Sequence, residues 1–163
     1  MNYGKTPTWF HYASRVMRLY DLDYVVKCDT DTYVMVDMFF DINKLMFPRG
    51  RGQTYGGFAV WSYPKRHIYM EGQFYLLSLD LAERVASASL NHTEDILFVE
   101  DADTGLVLMK HRRQLTHLVS MERQRSWKHP LKSASTFGEF MIKESVRIGR
   151  PLLGTALAPP VKV

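Results

Sequence analysis

The chain has 163 residues, enough for one domain with its own core and short for two. With 46% hydrophobic, 13% aromatic and 23% charged residues it is neither disordered nor disulfide-dense in composition, and its single cysteine, Cys28, excludes an intrachain disulfide. The net charge of +4 is modest, no uncharged apolar run reaches the roughly 18 residues of a membrane span, and Met1 to Thr8 lacks the pattern of a signal peptide, so the sequence reads as a soluble globular domain.

Trp9, Tyr12, Ala13, Val16, Met17 and Tyr20 recur at three- and four-residue steps, which predicts a first helix from about Thr8 to Tyr20, with Pro7 near its start. Asp21 to Asp23 ends it. Tyr24 to Cys28 is short, β-branched and apolar, the pattern of a buried strand, and it stops at Asp29-Thr30-Asp31 before Tyr33 to Val36 turns apolar again. A helix from about Asp37 to Met46, capped by Asp37, leads into a basic and flexible loop at Pro48 to Gly52. Gln53 to Ser62 and His67 to Ser78 read as strands that pair as a hairpin around Tyr63 to Arg66. Leu79 to Leu90 reads as a helix with Ser78 as its N-cap, and a loop with the glycosylation triplet Asn91-His92-Thr93 follows. Ile96 to Val99 is strand-like. Glu100 and Asp101 then open a helix through Met109, Phe137 to Ile148 forms a last amphipathic helix, and residues 151–163 read as a loose tail behind a domain of 1–150. No repeat period interrupts this mixed α/β pattern.

Three groups of residues carry candidate chemistry. Asp29 and Asp31, two apart in the bend that ends an apolar strand, suit a hard divalent ion whose remaining sites take water and phosphate oxygens. Two enzyme chemistries compete for them: a phosphoryl hydrolase with Asp29 as nucleophile, and a sugar-nucleotide transferase whose carboxylates hold the metal. The hydrolase pattern normally has Thr or Val where Tyr33 stands. Glu100 and Asp101 sit in a first helical turn, where a carboxylate is held in place and kept ionised; the alternative is that they only cap the helix. Among His111, His117 and His129, one imidazole would complete such a metal site. Trp61, Tyr69, Tyr75 and Trp127 read as core or rim aromatics, the alternative being that one of them stacks on a sugar ring or base. Residues 110–150 hold ten basic against three acidic side chains, while 1–109 hold ten against fourteen, so the last third is the basic part. Its cations either face solvent or meet nucleic acid, an acidic membrane surface or the phosphates of a small ligand.

In order, these strings resemble glycosyltransferase family 31, the β-1,3-galactosyltransferases and N-acetylglucosaminyltransferases that include the Fringe proteins. Tyr24 to Val34 is similar to the family's apolar-Lys-Thr-Asp-Asp-Asp-apolar-Phe-Val block, with Thr30 in place of the middle Asp. Tyr69-Met70-Glu71-Gly72-Gln73-Phe74-Tyr75-Leu76-Leu77-Ser78 resembles Tyr-x-x-Gly-x-Gly-Tyr-Val-Leu-Ser, with Phe74 at the second glycine. Glu100 to Gly105 resembles Glu-Asp-Val-Tyr-Val-Gly, and His129-Pro130-Leu131-Lys132 resembles the late His block. The kinetoplastid phosphoglycan β-1,3-galactosyltransferases are the branch with the nearest look.

The resemblance implies a GT-A α/β fold and inverting transfer of galactose or N-acetylglucosamine from a UDP-sugar to a glycan or phosphoglycan hydroxyl, with no nucleic-acid partner. It implies Mn²⁺ or another divalent ion on Asp29, Asp31 and His129, and Asp101 as the base. Gly72 and Glu100 join Asp29 and Asp31 around the donor, and Phe74 fills space that a glycine would leave for it. It also implies that the family's uridine-binding strand-helix-strand unit and Golgi membrane anchor would precede Met1, making this chain a truncated, lumenal domain. A non-catalytic remnant or saccharide-binding module is the rival reading.

Overall fold

The computed structural model describes residues 5–63, 66–88, 99–110, 117–122, 127–131 and 133–148. A helix α1 (Lys5–Leu19) leads into strand β1 (Tyr24–Cys28), a two-residue strand β2 (Tyr33–Val34) and helix α2 (Val36–Asn43). A hairpin of β3 (Thr54–Ser62) and β4 (His67–Ser78) follows, then α3 (Leu79–Ser87), α4 (Glu100–Lys110), β5 (His117–Ser120), β6 (Trp127–Lys128) and α5 (Ala134–Ile148). Four strands form a mixed sheet in the order β1-β4-β3-β5, antiparallel except between β3 and β5, and β2 pairs with β6 in a separate ladder.

Strand β4 is central, and successive side chains at Phe74, Tyr75, Leu76 and Leu77 point to opposite faces, so both faces acquire a core. Tyr75 and Leu77 join Tyr55, Phe10 and Met17 of α1, Leu81 and Val85 of α3, and Val107 and Leu108 of α4. Phe74 and Leu76 join Met121 and Trp127, with Phe39 and Phe47 packed around them. Each fully buried side chain of this size is worth about 1.5–3 kcal/mol against exposure. The stacked Phe74 and Trp127 rings, 4.9 Å between centroids, add about 0.5–1.5 kcal/mol. Phe74 is thus a core residue on the face that carries Trp127.

Several expectations are corrected. Strand β1 is half-buried rather than buried, because β4 alone pairs with it among the described strands and it forms an edge. Helix α1 begins at Lys5 and buries Phe10, Ala13, Ser14 and Met17, leaving Trp9, Tyr12 and Tyr20 outside; its apolar residues cover about half of its circumference, a wider face than the one that packs inward, so spacing alone does not select the buried ones. Met35, not Asp37, precedes α2, and Asp37 lies within the first turn. Ser78 occupies the N-cap position of α3, but its hydroxyl accepts from Thr54 N–H and donates to Asp80 at 2.6 Å instead of capping. The basic loop is tied down: Asp23 accepts from Gly50 N–H at 2.7 Å and from Arg49, and Tyr24 Oη donates to Pro48 O at 2.8 Å.

The Asn91 triplet, Ile96 to Phe98, His111, Arg112, Arg113, Arg123, Arg125, Lys132 and the tail 151–163 lie outside the described residues. Among the described residues no helix is long and apolar enough to cross a membrane.

Candidate functional site

The site begins with a bulge. Gly57 on β3 faces Tyr75 and Ala59 faces Met70, so two steps along β3 span five along β4, and the segment Glu71 to Phe74 loses its partners on β3 while Phe74 stays paired with Cys28 of β1. This segment meets the carboxyl end of β1. Asp29 N–H donates to Gln73 O at 3.3 Å and Thr32 Oγ1 donates to the same oxygen at 2.9 Å. Thr32 N–H also bonds Asp29 O at 3.1 Å, closing the turn that carries Asp29, Thr30 and Asp31.

The β2–β6 ladder delivers the imidazole. Tyr33 faces Lys128 and Val34 faces Trp127, so His129, the next residue, lands beside the turn. Leu131 N–H bonds Asp31 O at 2.9 Å and fixes the segment from its other side. His129 Nδ1 lies 3.2 Å from Asp31 Oδ1 and 3.1 Å from Thr32 Oγ1. Asp29, Asp31 and His129 each offer one ligand atom, all within 4.8 Å of one another, and all three residues are half-buried. Two carboxylates and an imidazole match the oxygen-and-nitrogen preference of a borderline-hard divalent ion such as Mn²⁺, so the residues present fit that metal.

Helix α4 supplies the opposite wall. Gly105 sets its height over the sheet, since a Cβ there would lie 2.8 Å from Tyr69 Cα and 3.0 Å from Ile68 O and would overlap Tyr69 Cβ. The first turn therefore presents Glu100 and Asp101 to the β4 bulge. Asp101 Oδ2 accepts Gly72 N–H at 2.7 Å and Oδ1 accepts Ala102 N–H at 2.9 Å. Burial raises the Asp101 carboxyl above its ordinary range, partly opposed by those amides. A Cβ on Gly72 would stand 3.2 Å from Asp101 Oδ2 and 3.4 Å from Lys27 Nζ, so the space beside this glycine belongs to those two side chains.

Glu100 is engaged at both oxygens: Tyr75 Oη donates to Oε1 at 3.0 Å, and Lys27 Nζ lies 3.2 Å from Oε2. Burial alone would lower the Lys27 ammonium, but its bond to Asp29 and the field of Glu100 outweigh burial and hold it above its ordinary value. An open cleft of about 710 Å³ lies between α1 and the end of β1, lined by Lys5, Thr6, Lys27, Asp29, Asp31 and Glu100 among others.

The structure thus brings Asp29, Asp31, His129, Gly72, Glu100 and Asp101 into one region. His117 does not join them; it faces Thr54 in β5, at the sheet edge opposite β1. Tyr75 and Trp127 are core, Tyr69 is half-buried and Trp61 is exposed at the hairpin end. Sequence reasoning missed Lys27 and Thr32 as site residues. A lone charge within an apolar strand, two residues before the first Asp and on the same side of it, was the available signal for Lys27. Neither a protein-family model nor a curated protein matches the chain.

Proposed function

We propose that the chain is the catalytic part of a metal-dependent, inverting hexosyltransferase of GT-A type, moving galactose or N-acetylglucosamine from a UDP-sugar to a glycan or phosphoglycan hydroxyl in β-1,3 linkage. The observation that carries the reading is the convergence of Asp29, Asp31 and His129, with ligand atoms within 4.8 Å, from segments far apart in the sequence. A divalent ion held by them would neutralise charge developing on the departing diphosphate. The cleft beside them is open, and the positive charges of Lys5 and Lys27 in its lining favour a phosphate-bearing donor.

Inversion by single displacement needs one base on the acceptor side. Asp101 takes that role on this reading: it removes the acceptor hydroxyl proton as the new C–O bond forms and the bond from sugar to diphosphate breaks. Glu100 lines the cleft, but the Lys27 ammonium beside its Oε2 opposes its taking up a proton, whereas Asp101 accepts only from the neutral backbone N–H groups of Gly72 and Ala102. Asp101 is made more basic by burial. In a cell the reading places the domain on the lumenal side of the Golgi membrane.

Calorimetry with Mn²⁺ and UDP, followed by a UDP-galactose transfer and hydrolysis assay, tests the proposal. Mn²⁺-dependent turnover that is lost in Asp31→Asn supports it. Binding without turnover points instead to a saccharide-binding module, and absence of UDP binding to a remnant. Hydrolysis of simple phosphate esters with Mg²⁺ and a phosphorylated Asp29 would convert the reading to a phosphatase.

A further inference from the structure

Lys27 stands where the two halves of the site meet. Its ammonium donates to Asp29 Oδ1 at 2.8 Å and Gly72 O at 3.1 Å and lies 3.2 Å from Glu100 Oε2, with the Tyr75 ring 5.8 Å away. An ammonium carries three protons, and three oxygens surround this one. Its side chain is 17% exposed, so solvent screens these interactions less than it would a surface pair.

Two consequences follow from that placement. The positive charge offsets the repulsion between Asp29 and Glu100, which belong to β1's end and to α4 respectively. It also stands bonded to an oxygen of a residue that the metal would need, so a divalent ion entering the Asp29, Asp31 and His129 cluster meets a cation already in place. Two cations sharing one carboxylate repel unless further negative charge arrives.

Resting on the metal-site reading of Asp29, Asp31 and His129, we propose that Lys27 is a positioning residue that serves as an internal counter-cation. It holds Asp29 and Glu100 together in the metal-free cleft and keeps the affinity for a bare divalent ion low. The ion then binds tightly only with an anionic co-ligand, of which a nucleotide diphosphate has the right charge and size for the cleft. Metal and diphosphate therefore bind cooperatively, and by linkage each strengthens the other by the same factor.

The test titrates Mn²⁺ calorimetrically into the wild-type chain, Lys27→Met and Lys27→Gln, with and without saturating UDP, alongside thermal melts. The neutral variants are expected to bind Mn²⁺ alone about tenfold more tightly than wild type, equivalent to about 1.4 kcal/mol. UDP is expected to strengthen Mn²⁺ binding markedly in wild type and much less in the variants. A lysine of purely structural role would instead lose melting temperature and metal affinity together. Lys27→Gln retains a donor for Gly72 O and supplies the reading if Lys27→Met does not fold. Unchanged or weaker Mn²⁺ affinity in a folded neutral variant overturns the proposal while leaving the metal site intact. No Mn²⁺ binding by wild type, with or without UDP, overturns the metal site itself and the proposal with it.

Discussion

Replacing Gly105 with Ala sets two effects of opposite sign against each other. Gly105 lies inside α4, and on helix propensity alone the substitution would stabilise the fold by about 1 kcal/mol. The added Cβ, however, would overlap Tyr69 Cβ and come within 2.8 Å of Tyr69 Cα and 3.0 Å of Ile68 O. Backbone atoms cannot rotate away, so α4 must rise off β4, and overpacking of this kind costs about 1–3 kcal/mol or more. The clash is with the central strand, so the upper end applies and the net loss should be about 2 kcal/mol. For a chain of this size that lowers the melting temperature by roughly 4–8 °C. Urea unfolding followed by circular dichroism measures the loss directly. Because α4 carries Glu100 and Asp101, on the proposed transferase reading the same variant should also lose hexosyl transfer at a temperature where it remains folded. A Gly105→Ala protein more stable than wild type by about 1 kcal/mol would refute the close seating of α4 on β4, and with it the placement of Asp101 against Gly72.

On the proposed transferase reading, Asp101→Asn should reduce transfer by about 10²–10⁴-fold, the loss that removal of a general base brings, with the fold retained in a melt. Because burial raises the folded-state Asp101 carboxyl above its unfolded value, its contribution to stability is present at low pH. That contribution falls as pH rises from about 3.9 through the folded-state value, so the Asn variant should lose this decline; melts across acidic pH compare the two. Thr32→Val removes the hydroxyl 3.1 Å from His129 Nδ1 and should weaken Mn²⁺ binding about 10–100-fold, measured by calorimetry, without a comparable change in melting temperature. Trp127→Ala empties a fully buried position and should cost about 3–5 kcal/mol in urea unfolding. Since Trp127 pairs with Val34 in the ladder that carries His129, Mn²⁺ affinity should fall with it.

How much of this molecule was legible in its sequence depended on how local each feature is. The hairpin of β3 and β4 and the first turn of α4 follow from runs of β-branched and aromatic residues and from acids at a helix start, signals contained within a dozen residues. The succession Asp29, Asp31 at a strand end could likewise be read directly. Strands β5 and β6, four and two residues long, were not anticipated in the basic third of the chain, because such short segments have no period and exist only through their partners β3 and β2. The inner face of α1 was misjudged for a related reason: its apolar residues cover a face wider than the core takes, and packing against α3 and the sheet chose Phe10 and Met17 over Trp9 and Tyr12.

By itself, the sequence determined the mixed α/β class, the central hairpin and which carboxylates stand at the ends of elements, since all of these rest on near-neighbour periodicity and capping. Only the tertiary structure decided that β4 bulges to offer Gly72 N–H to Asp101, that the β2–β6 ladder brings His129 to Asp31, and that Lys27 joins Asp29 to Glu100. Each of those depends on pairing between residues dozens of positions apart. Such pairing is selected by the packing of whole faces against one another, and no local pattern encodes it.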